Sequence, residues 1–431
     1  MRVLVVGGYG LIGLEIARRI SGAGHDVSCL GRSAKRGQAL MPSAVWVEAD
    51  LAALTRPDSW LPHLASIDVV INAAGALQDG LHDNLVGVQE HAIVALVKAC
   101  AQAEVKKFIQ ISAPGAAPET ETTFLATKGR ADAAVMASEL GWTIFRPGLV
   151  IAPNAYGAGA LLRALAAIPL VQPVLLPNAR LQCISIDDVC DAVLRAVGED
   201  LSGQVFDLME SNAHSFEEIV LQVRRWLGFS EPKLVLALPR WIGSGAALLA
   251  DLAGWFGWRA PFRSTALKVL ERNVTGDPSG WAHVAGGPLG TLECALARYP
   301  ATRQERIFAR GHLIFPFLIL ILAAFWIVSG LLGLTQSADA IRLLTDRSVT
   351  LPVATGAVFV GSFVDLLIGA AFLFRGMLRR AVWLSTTVCI LYLVAGTILT
   401  PDLWADPLGP IVKIVPVIGL ALAVAALAED R

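Results

Sequence analysis

Val3, Leu4, Val5 and Val6 form an uninterrupted apolar run of the kind that makes a strand buried on both faces. Gly7, Gly10 and Gly13 follow at a spacing of three, and residues 14–20 then read as a helix. Few folds pass from a buried strand into a helix through such a turn. The first glycine permits a tight bend. The second lets a ligand approach bare backbone, and the third lets the helix pack against the strand. The helix N-terminus supplies unpaired N–H groups and a positive dipole end, which suits phosphate. Gly7, Gly10, Leu11, Ile12 and Gly13 are therefore the expected cradle of a dinucleotide pyrophosphate.

Residues 26–30, 45–48, 68–72 and 107–111 read as further strands. Between the last two, Leu85, Val88, Ile93, Val94, Leu96 and Val97 recur at helical spacing. This alternation predicts an α/β fold, a Rossmann-like, doubly wound parallel sheet with right-handed crossovers. The second strand runs into Gly31-Arg32-Ser33, with Lys35 and Arg36 close behind. An acid there would accept bonds from the 2′-hydroxyl of NAD, whereas cations suit the 2′-phosphate of NADP. NADP(H) is thus favoured over NAD(H). Asp50 and Leu51 follow the third strand, where the adenine edge would lie. After the fourth, Asn72, Ala73, Ala74 and Gly75 let the chain pass close under a cofactor.

Ser112 follows the fifth strand, Lys128 lies on the next helix, and Arg146-Pro147-Gly148 follows the sixth strand. With the glycine turn and the 72–75 loop, these residues resemble the short-chain dehydrogenase/reductase superfamily. The likeness is to its atypical and extended branches, near the NAD(P)H-binding proteins similar to the accessory NADPH-binding subunit of respiratory complex I. It covers roughly residues 1–235, including 184–189. It implies that Lys128 bonds the nicotinamide ribose, that Ser112 faces the substrate and that Pro147 lies at the cofactor.

The family's general acid is a tyrosine four residues before the lysine. Here that position is Phe124, which has no proton to give. Thr123 and Thr127 offer only ordinary hydroxyls, and Tyr156, on the loop after the sixth strand, is either a substitute or a packing residue. Two outcomes stay open. Hydride passes to an acceptor that needs no protein phenol, such as a quinone or flavin, or the nucleotide is bound without turnover. The first makes the chain an oxidoreductase acting on a small carbonyl or quinone-like molecule. The second makes it a redox-sensing or assembly module of a membrane complex.

Residues 148–235 should form a smaller, substrate-facing lobe with helices at 160–168, 187–197 and 215–227. The last of these opens with a capping box, Ser215 and Glu218. Residues 236–300 are expected as an interfacial segment and linker. Trp241, Trp255 and Trp258, flanked by Arg240 and Arg259, suit either a helix in the headgroup layer or a core helix. Residues 276–300, rich in Gly and Pro around Trp281 and His283, read as the linker.

Residues 301–431 are expected to form an all-α, four-helix transmembrane domain. Apolar stretches at 312–334, 352–374, 381–400 and 410–428 each approach the ~20 residues that cross a bilayer core. Arg303, Arg306 and Arg310 precede the first, and Arg375, Arg379 and Arg380 separate the second from the third. The intervening loop has Arg342 and Arg347, offset by Asp339 and Asp346. The positive-inside bias therefore puts the arginine-rich ends, the nucleotide domain and residues 429–431 in the cytoplasm. The opening strand is no signal peptide, so the expectation is a multi-pass protein of the inner (cytoplasmic) membrane. The bilayer is then the evident partner, and any partner chain is left open. A balanced charge gives no footprint for nucleic acid, and the six cysteines and seven histidines make no metal-binding pattern.

With residues 302–306 and 404–410, this part is similar to the DoxX-like membrane family over roughly residues 300–431. The resemblance implies a setting near quinone chemistry. Asp365 stands out inside the second span, since a carboxylate in hydrocarbon is expensive and often functional. It lies nine residues from the cytosolic end, ~14 Å, and Tyr392 lies eleven residues into the next span, ~16 Å. In an antiparallel pair the two are level and should share a hydrogen bond. That bond is either a structural clasp or part of a protonatable site beside a quinone headgroup.

Overall fold

The first apolar run folds as β1 (Arg2–Val6), and Val3, Leu4, Val5 and Val6 are all fully buried. In this computed structural model, which describes residues 1–75, 84–258 and 262–428, two compact units can be distinguished. One comprises Met1–Gly254 and Arg259–Arg306, the other Trp255–Trp258 and Ile307–Arg431. Arg259 and residues 429–431 lie outside the described residues.

In the first unit, β1 leads through α1 (Leu11–Gly22), β2 (Asp26–Gly31), α2 (Ala34–Leu40), β3 (Val45–Glu48) and α3 (Pro57–Leu64) to β4 (Val69–Asn72). A π-turn at Gly87–His91 runs straight into α4 (Ala92–Gln102), followed by β5 (Lys107–Ile111), α5 (Thr123–Met136) and β6 (Gly141–Pro147). Next come β7 (Leu149–Ile151), α6 (Ala158–Ala166), β8 (Val171–Leu175), β9 (Arg180–Leu181), β10 (Cys183–Ser185) and α7 (Ile186–Gly198). The run closes with β11 (Gln204–Leu208), β12 (His214–Ser215), α8 (Phe216–Trp226) and β13 (Leu234–Leu238).

Seven strands make one parallel sheet in the order β11-β6-β5-β4-β1-β2-β3. Alternation along β1 sends Val3 and Val5 to one apolar layer with α1 and α7, and Leu4 and Val6 to the other with α3 and α4. Strand order reverses at β1 and β4, and in open sheets ligands bind in the crevice at that point. β11 was not evident in the sequence. The shorter strands pair as β7–β10, β8–β13 and β9–β12, and they carry the smaller lobe with α6 and α8. The capping box at Ser215 and Glu218 forms.

α9 (Arg240–Trp255) and α10 (Ser264–Glu271) follow. α9 buries only Gly243, Ala247 and Gly254, while Trp241 is 74% exposed and Leu248, Leu252 and Trp255 are also exposed. That face is the reverse of a core helix. Residues 276–300 depart from the linker expectation, because they fold as α11 (Ser279–Ala285) and α12 (Leu292–Arg298). Their Gly and Pro residues mark helix ends. Pro278 precedes α11, Gly286 closes it in the left-handed region, and Thr291 caps α12 by accepting from the Cys294 N–H. Trp281 is buried edge-on to Phe145 (ring centroids 5.6 Å apart) and Phe206 (5.3 Å).

The second unit consists of α13 (Arg303–Thr335, from Ile307 on), α14 (Ser337–Thr345), α15 (Leu351–Leu373), α16 (Leu378–Leu399) and α17 (Ile414–Leu427). Among the described residues, three helices are long and apolar enough to cross a membrane: α13, α15, and α16 with the turn before it. The fourth expected span, 410–428, is helical only over the 14 residues of α17. Pro407, Gly409 and Pro410 hold the approach in turns, so the helix starts late. At one end of the bundle Arg347 pairs with Asp402 (2.5 Å). At the other, Arg375 donates to the Ala428 carbonyl (3.2 Å), and Trp258 Nε1 donates to the Leu373 carbonyl (2.6 Å).

Trp281→Ala should destabilise the first unit by about 3–5 kcal/mol, the usual cost of removing a large buried aromatic. Thermal unfolding of the full chain, followed by a probe of that unit, measures it. A truly solvated linker tryptophan would leave the transition unmoved.

Candidate functional site

The β1–α1 turn has the geometry a pyrophosphate requires. Gly7 adopts φ +78°, and a Cβ there would stand 2.8 Å from Ala74 Cα. A Cβ on Gly13 would strike the Gly7 carbonyl oxygen. Gly10 is the N-cap of α1 and provides no side-chain cap, so the N–H groups of the first turn, at Leu11, Ile12 and Gly13, stay available to an anion. Ala73 N–H bonds the Val6 carbonyl (3.0 Å), which lays the 72–75 loop against the turn. The chemistry of these residues fits a dinucleotide, since glycine leaves the backbone of the turn bare at positions 7, 10 and 13.

At the end of β2, Arg32, Lys35 and Arg36 are exposed around the start of α2, with Ser33 as its N-cap. Tyr9, inside the glycine turn, reaches across and accepts the Arg32 N–H with its hydroxyl (3.0 Å). Its ring stacks on Trp46 (6.1 Å), with the Arg36 guanidinium 6.0 Å from its centre. An acid does lie here, brought from the next strand. Glu48 pairs in register with Gly31 and accepts the Ala34 N–H (2.8 Å). Sequence reading along β2 alone could not see it. Asp50 caps the short turn after β3 by accepting from Ala52 N–H (3.1 Å), and Leu51 is buried.

At the tips of β4, β5 and β6 lies a buried polar cluster. Asn72 donates to Gln110 Oε1 (2.8 Å) and accepts from the Ala74 N–H (3.1 Å), so its side chain shapes the loop. Ser112 Oγ donates to Asp132 Oδ2 at 2.6 Å, while Gln110 and Arg146 approach the same carboxyl at 3.4 and 3.5 Å. Lys128 Nζ donates to the Ile111 carbonyl (3.0 Å) beside Gly75, where a Cβ would lie 3.7 Å away. Burial pushes the Lys128 ammonium below the usual lysine range, with Asp132 opposing. Burial pushes the Asp132 carboxyl up, opposed by Ser112, Lys128, Arg146 and Gln110.

Asp132 went unnoticed in the sequence, although it sits one helical turn after Lys128 and so on the same face. Gln89 went unnoticed as well. The π-turn aims it at Thr127, whose hydroxyl donates to Gln89 Oε1 (3.0 Å), and at Gly75. Thr127 is therefore buried behind the site. Phe124 is half-buried in the first turn of α5, and Tyr156 is 48% exposed on the loop before α6. Pro147 ends β6 and is buried.

In the second unit, Tyr392 Oη donates to Asp365 Oδ1 at 2.8 Å, the bond expected from their equal depth. Ser329 on α13 donates to Oδ2 (2.7 Å), which the sequence did not suggest.

Comparison with known proteins agrees with this geometry. Residues 7–164 match the NAD(P)H-binding family and residues 323–422 the DoxX-like family. The photosystem II assembly factor Ycf39 of Synechocystis is 31% identical over 147 residues, 34% of this chain and 44% of that protein. The NAD(P)H azoreductase of Xenophilus azovorans is 29% identical over 146 residues, 34% of this chain and 47% of that protein. The chain thus spans less than half the length of these relatives. The NAD complex of the enzyme WbmG of Bordetella bronchiseptica superposes with a TM-score of 0.51 at 18% identity, covering 70% of this chain and 92% of that one. At that identity the likeness shows the fold alone. Residues 7–164 are thus similar to the NAD(P)H-binding family and have a Rossmann-like fold, and residues 323–422 are similar to the DoxX-like family.

Proposed function

We propose that the protein is a membrane-anchored, NADP(H)-dependent oxidoreductase that passes hydride to a small carbonyl or quinone-like acceptor. The observation that carries this reading is the grouping of Lys128 and Ser112 at the tip of β5, beside the 72–75 loop that packs on the glycine turn. Gly7, Gly10, Leu11, Ile12 and Gly13 hold the pyrophosphate, Asp50 and Leu51 border the adenine, and Asn72, Ala73, Ala74 and Pro147 line the path to the nicotinamide. Lys128 orients the ribose and Ser112 faces the acceptor. Three cations by the ribose favour a 2′-phosphate, and the Glu48 carboxylate nearby accepts the Ala34 N–H through one of its oxygens. Anchoring is supported by three long apolar helices and the DoxX-like match, with α9 laying its exposed tryptophans in the headgroup layer. The arginine-rich ends favour a cytoplasmic nucleotide domain on the inner membrane.

A second reading is a non-catalytic nucleotide-binding module that assists assembly or senses redox state. Phe124 favours it, and so does the similarity to a protein named as an assembly factor. Purified full-length protein mixed with NADPH and a short-chain quinone separates the two. Oxidation of NADPH supports the enzyme, and tight binding without oxidation leaves only the module.

Arg32→Ala should lower the preference for NADPH over NADH by about tenfold to a hundredfold, the ~1.5–3 kcal/mol of a charge-assisted bond. Paired fluorescence titrations read this, and an unchanged ratio removes the NADP assignment. Phe124→Tyr should gain or raise carbonyl reductase activity if only the acid is missing. For the membrane pair we expect a clasp: Asp365→Asn should leave quinone-dependent turnover intact, and its loss would favour a protonatable quinone site instead.

A further inference from the structure

We propose that Asp132 handles the acceptor's proton through the Ser112 hydroxyl, in place of the phenol missing at position 124. This rests on the hydride-transfer reading above. Phe124 cannot donate, and the Thr127 hydroxyl is fully buried between the Thr123 carbonyl (2.8 Å) and Gln89 Oε1 (3.0 Å). That leaves Ser112, whose Oγ lies 2.6 Å from Asp132 Oδ2, a short O–H···O bond in which Ser112 donates to the carboxylate. Once Asp132 is protonated, the carboxyl donates to Oγ and the Ser112 hydrogen is freed for the acceptor. Asp132 is 1% exposed and Ser112 5%, so a proton leaving this pair moves along the bond rather than into bulk water.

The step balances. As a reduced nicotinamide nucleotide delivers hydride to the carbonyl carbon, the C=O electron pair shifts onto oxygen. That oxygen takes the Ser112 proton, and Ser112 Oγ takes the proton of Asp132. The carbonyl is reduced to an alcohol, the nucleotide is oxidised, and Asp132 is left as a carboxylate to be reprotonated between turnovers. Oxidation of an alcohol runs the same path backwards.

The surroundings suit both states of the carboxyl. Burial raises its affinity for a proton. The groups facing it are Lys128 on its own helix, Ser112 and Gln110 from β5, and Arg146 from β6, and each favours the anion once the proton has left. Arg146 keeps its Nε buried without a hydrogen-bond partner, so its bonding to the site is incomplete. Asp132 is thus a positioning and relay residue acting through Ser112, which alone touches the acceptor.

The test uses full-length protein in lipid nanodiscs, with NADPH and 4-nitrobenzaldehyde as probes. Asp132→Asn and Ser112→Ala should each lower aldehyde reduction by about a hundredfold or more, within the range of general acid catalysis. The double variant should be no slower than the worse single one, because the two act as one unit. NADPH affinity, read by fluorescence, should stay within about twofold, against the tenfold that ~1.4 kcal/mol would cause. Asp132→Glu, which keeps a carboxyl, should recover part of the rate. In the wild type, kcat/KM for reduction should fall as pH rises through the raised Asp132 titration, because the acid form donates, and Asp132→Asn should lose that limb. Independently of turnover, infrared difference spectra between wild type and Asp132→Asn should show a carboxyl that titrates above the ordinary aspartate range. Multiplicative losses in the double variant, an unaltered pH limb, or a carboxyl that titrates normally would each overturn the relay. If wild type binds NADPH yet reduces no aldehyde or quinone, the hydride-transfer reading fails and the relay with it. If wild type turns over and Asp132→Asn does too, only the relay fails.

Discussion

Two loops leave the adjacent strands β1 and β4 and meet with no room for a side chain between them. A Cβ on Gly7 would sit 2.8 Å from Ala74 Cα and 2.9 Å from its nitrogen, and the backbone at Gly7 is left-handed. Any L-residue would be strained there and would also force the loops apart. The close approach occurs where the strand order reverses, the point at which open sheets of this kind take their ligands. It also sets the direction of α1, because Gly13 packs directly on the Gly7 carbonyl. The rest of the site takes its position from this contact.

Hydrogen bonds carry that position across the sheet. Ala74 N–H is held by Asn72, Asn72 by Gln110, and Gln110 reaches Asp132 on α5, which also receives Ser112 and Arg146. A chain of polar side chains this deeply buried is costly unless each member is partnered, and removing one partner of a buried ion pair commonly costs about 3–5 kcal/mol. Apolar packing at the same strand tips would hold them together without that risk. A purely structural account therefore leaves the chemistry of the cluster unexplained, whereas a proton-handling role uses it. The same cluster narrows what Ser112 does at rest. With its hydrogen on the Asp132 carboxylate, it presents lone pairs outward, and it turns into a donor only when Asp132 is protonated and itself donates to Oγ.

How much of this could be read in the sequence depended on the distance over which each feature is encoded. The turn from Gly7 to Gly13 is local, and so are the apolar strands and the Lys128 helix, all of which the structure contains. Glu48 was invisible because it belongs to β3 yet acts at the start of α2, a pairing that only the register Gly31–Glu48 creates. Asp132 was overlooked for another reason. Its spacing from Lys128 was available, but an acid on a helix is usually solvated, and only the sheet above it makes it buried. Residues 276–300 misled through composition, since Gly286 and Pro278 punctuate short helices as readily as they loosen a linker. Trp281 was the contrary signal, because a tryptophan needs a surface to cover, and Phe145 and Phe206 supply it.

In the second unit the depth argument succeeded because α15 and α16 are joined by a short turn and run antiparallel, so counting residues from that turn measures height. It located Tyr392 opposite Asp365 but could not identify Ser329, for which the packing of α13 on α15 had to be known. That packing is close: a Cβ on Gly330 would lie 2.7 Å from Leu366 Cγ, and one on Gly369 would lie 2.6 Å from Ile327 Cγ1. Small residues let the two helices approach until a serine hydroxyl reaches a carboxylate. Both carboxyl oxygens of Asp365 then have donors from neighbouring helices. Trp326 likewise donates to Ser385 (3.0 Å). A carboxyl engaged by donors from two neighbouring helices needs no ligand to be stable in the bundle, which is what the clasp reading expects. The chemistry proposed for this protein lies instead at the tip of β5, where Ser112 and Asp132 are paired and position 124, the place of the expected acid, is a phenylalanine.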